Sequence, residues 1–136
     1  MFDLIDYAKL NSRQQENYNF HKIAARLADY GYNAMRLSDD FEGADFIALH
    51  IDGESILRVQ LKGRLSFHAK YYGKNLHIVF RDGDDIYMYP HDELRLKIEA
   101  AGLLEKSNSR AWVERGSRSW PNIPKNLRTY LLEYKL

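Results

Sequence analysis

Three side chains in the first half of the chain have types and spacing that suit hydrolytic chemistry: Asp45, Gln60 and Lys62. A turn signal between them fixes their geometry. Asp52-Gly53 is the dipeptide preferred at the tip of a two-residue type I′ hairpin. It separates two strand-like runs, residues 45–51 and 55–62. With that tip, Ile51 faces Glu54, Ile47 faces Arg58, and Asp45 faces Gln60. Opposed residues point to the same side of a sheet, and so do residues two apart on one strand. One carboxylate, one carboxamide and one ammonium therefore converge at the open end of the hairpin.

Such a trio suits metal-assisted phosphodiester hydrolysis. A hard divalent cation, Mg²⁺ or Mn²⁺, takes oxygen ligands. Asp45 offers a charged oxygen and Gln60 a neutral one. The cation polarises a phosphate and lowers the pKa of a bound water. Lys62 then holds the attacking water or stabilises charge building on the phosphate. Glu16, on a predicted helix, offers a second carboxylate to the metal. Plainer readings stand beside these: Asp45 as a loop cap, Lys62 as a solvated strand end, and Glu16 as a first-turn acid favoured by the helix dipole.

These residues need a scaffold. Ser12 and Gln15 form an S-x-x-Q capping box that opens a helix. Phe20, Ile23, Ala24, Leu27 and Ala28 follow as one apolar stripe, and Gly31 closes it as a C′ residue. Glu16 extends that stripe by one turn, so its carboxylate lies at the edge of the core-facing side. Residues 32–37 read as a short strand and residues 38–44 as an acidic loop, with Asp39 and Asp40 read as loop acids ahead of the alternative, metal ligands. Residues 75–81 and 86–89 are further strands around a turn at 82–85. Pro90 opens a helix carrying Leu94, Ile98 and Ala101, which Gly102 stops. Residues 103–122 read as irregular, and Pro124 opens a last helix with Leu127, Tyr130, Leu131 and Tyr134. The order of a helix, a run of strands and closing helices implies an α/β fold, a mixed sheet flanked by helices.

Charge is distributed in blocks. Residues 38–54 carry acids only (Asp39, Asp40, Glu42, Asp45, Asp52, Glu54), and residues 55–81 carry bases only (Arg58, Lys62, Arg64, Lys70, Lys74, Arg81). An acidic block beside a basic one fits a metal site next to a phosphate-binding surface. In the basic–aromatic run 62–74, Arg64, Lys70 and Lys74 are candidate phosphate contacts, and Tyr71 or Tyr72 can lie along a nucleic-acid backbone. A second such stretch holds Arg110, Arg115 and Arg118. Phe67 and Trp112 read as core.

The stretch from Gly43 to Arg64, GADFIALHIDGESILRVQLKGR, resembles the PD-(D/E)XK nuclease superfamily of restriction enzymes and Holliday-junction resolvases. That pattern has an acid at the start of one strand, an acid-x-Lys triplet at the end of the next, and often a Glu on the preceding helix. Asp45 matches the first acid, Gln60-Leu61-Lys62 the triplet with Gln in place of the acid, and Glu16 the helix residue. The segment IYMYPHDEL, 86–94, is similar to the strand-then-helix passage of resolvase-like members. The resemblance covers roughly residues 12–94. It implies a restriction-endonuclease-like core, a Mg²⁺ or Mn²⁺ cofactor held by Asp45, Gln60 and Glu16, and Lys62 as the catalytic lysine. Some members of the superfamily, an intron-encoded homing endonuclease among them, are active with Gln at this place. Gln60 also removes a negative charge, which favours a nucleic-acid-binding module that has lost the chemistry.

Composition narrows the alternatives. The 136 residues suit one domain spanning 1–136, with 45% hydrophobic and 29% charged residues and a net charge of +1. With no cysteine there is no disulfide, zinc-thiolate site or cysteine nucleophile, which fits a reducing cytoplasm. No two histidines have H-x-x-x-H spacing, and there is no P-loop, G-x-G-x-x-G or G-x-S-x-G motif. The N-terminus lacks the pattern of a signal peptide, and no run approaches the roughly 18 apolar residues of a membrane span. The expected function is a metal-dependent endonuclease acting on DNA. The alternatives are an inactive nucleic-acid-binding module and a protein-interaction domain, since ten tyrosines also fit an interface such as a homodimer.

Overall fold

A computed structural model describes residues 1–104, 112 and 115–136. Its centre is a five-stranded sheet: β1 (Tyr32–Phe41), β2 (Ala44–His50), β3 (Ile56–Leu61), β5 (Leu76–Asp82) and β6 (Asp85–Pro90), in the order β1-β2-β3-β5-β6. The pair β3–β5 is parallel and every other pair in this sheet is antiparallel. A parallel pair needs a crossover. Here residues 62–75 supply it, and they contain a short strand, β4 (Ser66–His68), and a 3₁₀ turn at Ala69–Tyr71. Strand β4 pairs with β7 (Ser117–Ser119) to form a two-stranded ribbon. The helices are α1 (Ser12–Ala28), α2 (His91–Ala100) and α3 (Lys125–Leu131). The mixed sheet flanked by helices is the expected α/β architecture.

Helix α1 starts at Ser12, but its cap is Asn11 rather than Ser12. The Asn11 side chain accepts the Gln14 N–H at 2.8 Å, and Gln14 accepts the Asn11 N–H at 3.0 Å. Asn caps as well as Ser, and Asn11 has the extended backbone a cap requires. Phe20, Ile23 and Leu27 are buried against Phe46, Ala48, Val59, Leu61 and Val79 on one face of the sheet. The helix ends at Ala28 with Asp29 as its C-cap, so Gly31 lies one residue beyond the C′ position expected for it. Gly31 has φ +83°, and a Cβ there would meet the His50 ring at 2.9 Å. The opposite sheet face, with Ile78, Phe80, Tyr87 and Tyr89, packs on Leu94 and Ile98 of α2, Leu127 and Leu131 of α3, and Phe67 of the ribbon. The buried Tyr89 hydroxyl donates to the Ser66 carbonyl at 2.6 Å and accepts its N–H at 3.3 Å, tying the ribbon to the sheet.

Three expectations change. The acidic loop is shorter than read: strand β1 runs on to Phe41, with a register irregularity after Arg36, and only Glu42-Gly43 turn. An exposed edge strand tolerates acids on both faces, so polarity there did not mark a loop. The β2–β3 connection spans 51–55, and its tip is the four residues 51–54 inside the His50 N–H to Ser55 carbonyl bond of 2.9 Å; there Asp52 accepts from Glu54 N–H and from Ser55. The Ile51 N–H leaves the hairpin for the Gly31 carbonyl at 2.9 Å. The register survives this change: Ile47 faces Arg58 and Phe46 faces Val59. Finally, Pro90 ends β6 and serves as the cap of α2, with His91 as the first helical residue.

Candidate functional site

Asp45 stands at the start of β2 and Gln60 near the end of β3, where the two strands begin to part. The β2–β3 register ends at the Phe46–Val59 pair, while on its other edge β3 stays paired with β5 from Arg58–Leu76 to Leu61–Val79, and the Lys62 N–H donates to the Val79 carbonyl at 2.9 Å. The Asp45 carboxylate fills the gap, its Oδ2 accepting the Leu61 N–H at 2.8 Å. That bond fixes the carboxylate against β3. Asp45, Gln60 and Lys62 all line one open cleft of about 640 Å³. The cleft lies at the carboxyl end of the parallel strand β3, where the chain leaves the sheet for the crossover. Open α/β sheets bind ligands at that kind of place.

The crossover builds the opposite wall. Tyr71 is buried, and the Lys62 and Lys70 ammonium groups each lie 5.2 Å from its ring centre. Cation–π attraction thus holds two bases beside Asp45 and Gln60. Among the described residues no carboxylate forms an ion pair with Lys62. Asp40 and Glu42 also border the cleft, residues that pattern reading had placed in a loop. Lys74 pairs with Glu42 at 2.7 Å, and this hydrogen bond holds the Glu42 carboxyl below its usual range. Gly43 is tied to the same wall. Its φ is +89°, and a Cβ would meet Leu76 Cδ1 at 2.9 Å and the Tyr71 ring at 3.3 Å.

Electrostatics at Asp45 are unbalanced. Burial pushes its carboxyl above the usual range, and the Glu16 carboxylate adds to that; the Leu61 N–H, Lys62 and Arg36 oppose it. Asp45 is therefore a half-buried acid short of positive charge. Gln60 Nε2 makes a long 3.4 Å contact to the Leu61 carbonyl. Among the described residues nothing donates to its Oε1. Glu16 itself is exposed, at the solvent edge of α1, and is ion-paired to Arg36 of β1 at 2.9 Å. Asn17 accepts from the same guanidinium. Glu16 lines a neighbouring cleft that it shares with Lys62, so it is close to the trio without facing the same space. Among the described residues there is no group of three or more His, Cys, Asp or Glu disposed to hold a metal.

The other candidate bases divide. Arg64 is exposed and borders two further grooves, one of them shared with Lys62. Arg118 lies in β7, its guanidinium 4.5 Å from the Trp120 ring centre and donating to the Ser119 carbonyl. Arg115 is exposed just before β7, and Arg110 falls outside the described residues. Phe67 is buried and Trp112 is packed against the same core. Tyr72 is exposed beneath Arg95, 4.4 Å from its ring centre.

The architecture has a solved counterpart. The structure of a bacterial homing endonuclease aligns over 92% of this chain and 86% of its own, with a TM-score of 0.51 and 13% sequence identity. That likeness is one of fold. No protein-family model and no curated protein matches the sequence. No helix among the described residues is long and apolar enough to cross a membrane.

Proposed function

We propose that this chain is a metal-dependent nuclease of PD-(D/E)XK type that hydrolyses phosphodiester bonds in DNA. Asp45 and Gln60 hold Mg²⁺ or Mn²⁺, and Lys62 acts at the phosphate or on the attacking water. The observation that carries this reading is the convergence of the three side chains in one cleft at the end of a parallel strand, with the Lys62 charge uncommitted to any carboxylate among the described residues. The fold it shares with a homing endonuclease agrees with it.

The residues fit a hard cation. Gln60 lines the cleft, nothing among the described residues donates to its Oε1, and the Asp45 carboxyl is raised by burial and by its repulsion from Glu16. A bound divalent ion supplies charge that polarises the phosphoryl group and acidifies water. Lys62 donates to a non-bridging oxygen as charge grows there, or orients the water, from a position fixed by Tyr71. The Leu61 N–H keeps Asp45 in place through the reaction. Glu16 joins the cation only after leaving Arg36. With one carboxylate and one amide, the site should hold its metal weakly, because affinity follows ligand charge.

That same weakness supports a second reading, a DNA-binding module that no longer cleaves. Incubating supercoiled plasmid with the protein and Mg²⁺ or Mn²⁺ separates the two. The nuclease reading expects nicking that EDTA abolishes and that Asp45→Ala lacks. Nicking that persists in Asp45→Ala, as a contaminant's would, or none with either metal while DNA is still bound, would favour the second.

A further inference from the structure

We propose that the groove floored by the β4–β7 ribbon is a second phosphate subsite, which receives the phosphodiester next to the scissile one on the same nucleic-acid strand. The position of the scissile phosphate rests on the nuclease reading; the chemistry of the groove does not. Pairing of β4 with β7 sets Ser66 opposite Ser119 and His68 opposite Ser117. Opposed residues share a face. Phe67, between Ser66 and His68, turns the other way into the core, where it is 1% exposed. Three hydroxyls and an imidazole therefore form one polar floor. Lys62 and Arg64 stand at its side, and together these six residues border a groove of about 370 Å³.

Every polar side chain in that lining can donate, and none is a carboxylate. The His68 ring has a defined tautomer. Its Nδ1 accepts the Lys70 N–H at 3.2 Å, so the neutral ring carries its proton on Nε2 as a donor. Burial, with the charges of Lys70, Lys62 and His91, holds the ring below its usual pKa and so neutral. Arg64 makes no ion pair among the described residues. Two cations over neutral donors match an acceptor-only, singly charged phosphodiester. Lys62 borders this groove and the Asp45 cleft alike. A strand passing through both would lay successive phosphates on either side of one ammonium.

The test is read by binding, without metal, using fluorescence anisotropy of a short fluorescein-labelled DNA duplex in EDTA across a salt titration. Ser119→Asp sets a carboxylate in the floor and is expected to weaken binding by about tenfold or more, since like charges at an interface are strongly unfavourable. Arg64→Gln is expected to lower the slope of log affinity against log salt by about 0.9, one phosphate contact. If circular dichroism shows that Ser119→Asp does not fold, Ser117→Ala replaces it, with a loss of about fivefold for one hydrogen bond. Wild-type affinity and slope in the variants, or a wild type that binds no duplex, would overturn the subsite. Failure of the nuclease reading looks different: the wild type binds and the variants weaken, yet plasmid stays intact with either metal.

Discussion

Gln60→Glu would restore a second charge to the cleft, and the fold sets the size of the effect. Positions 45 and 60 follow directly on Phe46–Val59, the last pair of the β2–β3 register, and line one cleft; the separation of an opposed pair, about 5 Å, sets the scale. Two carboxylates at about 5 Å repel by roughly 3 kcal/mol at an effective dielectric of 20, equivalent to roughly 2 pKa units. Asp45 is already raised by burial and by Glu16, so the new pair would titrate as one coupled unit. Without metal the variant should lose about 1–3 kcal/mol of stability at mildly alkaline pH, because two half-buried charges then share a site with too little positive charge. Added Mg²⁺ or Mn²⁺ should return that stability. Calorimetry should show metal bound at least about tenfold more tightly than by wild type, since ligand charge sets affinity. Urea melts with and without metal check the first effect, and titration calorimetry the second. Unchanged metal-free stability together with unchanged metal affinity would show that positions 45 and 60 do not share a cation site.

Two further perturbations probe the crossover that carries Lys62 and Lys70. His91 is buried, its Nε2 accepting the His68 N–H at 3.1 Å and its Nδ1 bonded to Asp92 at 2.8 Å. Burial holds its pKa below the usual 6.5, Asp92 opposing and Arg95 adding to the shift. The unfolded chain therefore takes up the proton first, and stability is complete above about 6.5 and falls as pH drops toward the folded value, by up to roughly 1.4 kcal/mol per pH unit. Denaturation at pH 7.5 and pH 5 should show this loss, with a shallower dependence in His91→Gln; His68 and His77, also lowered by burial, retain the rest. Equal slopes for wild type and variant would assign the dependence elsewhere. Gly43→Ala should cost about 1–3 kcal/mol in a thermal or urea melt, from the left-handed backbone and the close approach to Leu76; a neutral substitution would mean that the Glu42-Gly43 turn is not held against Tyr71.

The hairpin was legible because two independent signals agreed on it. The period of two fixed which residues share a face, and Asp52-Gly53 marked the reversal. Even though the tip is a four-residue loop, the strand register is unchanged, so Asp45, Gln60 and Lys62 still meet. The partner of β3 was not legible. Parallel pairing with β5 depends on contacts distant in sequence, and no local pattern writes it. Nor could three-residue strands such as β4 and β7 show a period. For that reason the run 62–74 read as a basic–aromatic stretch, and Tyr71 could not be seen as the ring that orders Lys62 and Lys70. Glu16 shows the limit of helical periodicity. Its spacing from Phe20 set it at the edge of the apolar stripe, but a competing cation, Arg36 on β1, decides where its carboxylate points.

The most direct measurement on the central claim is the single-turnover nicking rate of Lys62→Met with DNA affinity measured in parallel. Lys62 contacts a ring rather than a carboxylate, so its removal should cost only about 0.5–1 kcal/mol of stability. The rate should fall by about a hundredfold or more, the usual cost of losing a group that stabilises transition-state charge, while DNA affinity falls by no more than about tenfold, the scale of a lost hydrogen bond to phosphate. A variant that nicks at the wild-type rate would contradict the account, and so would one whose rate falls only as far as its affinity for DNA.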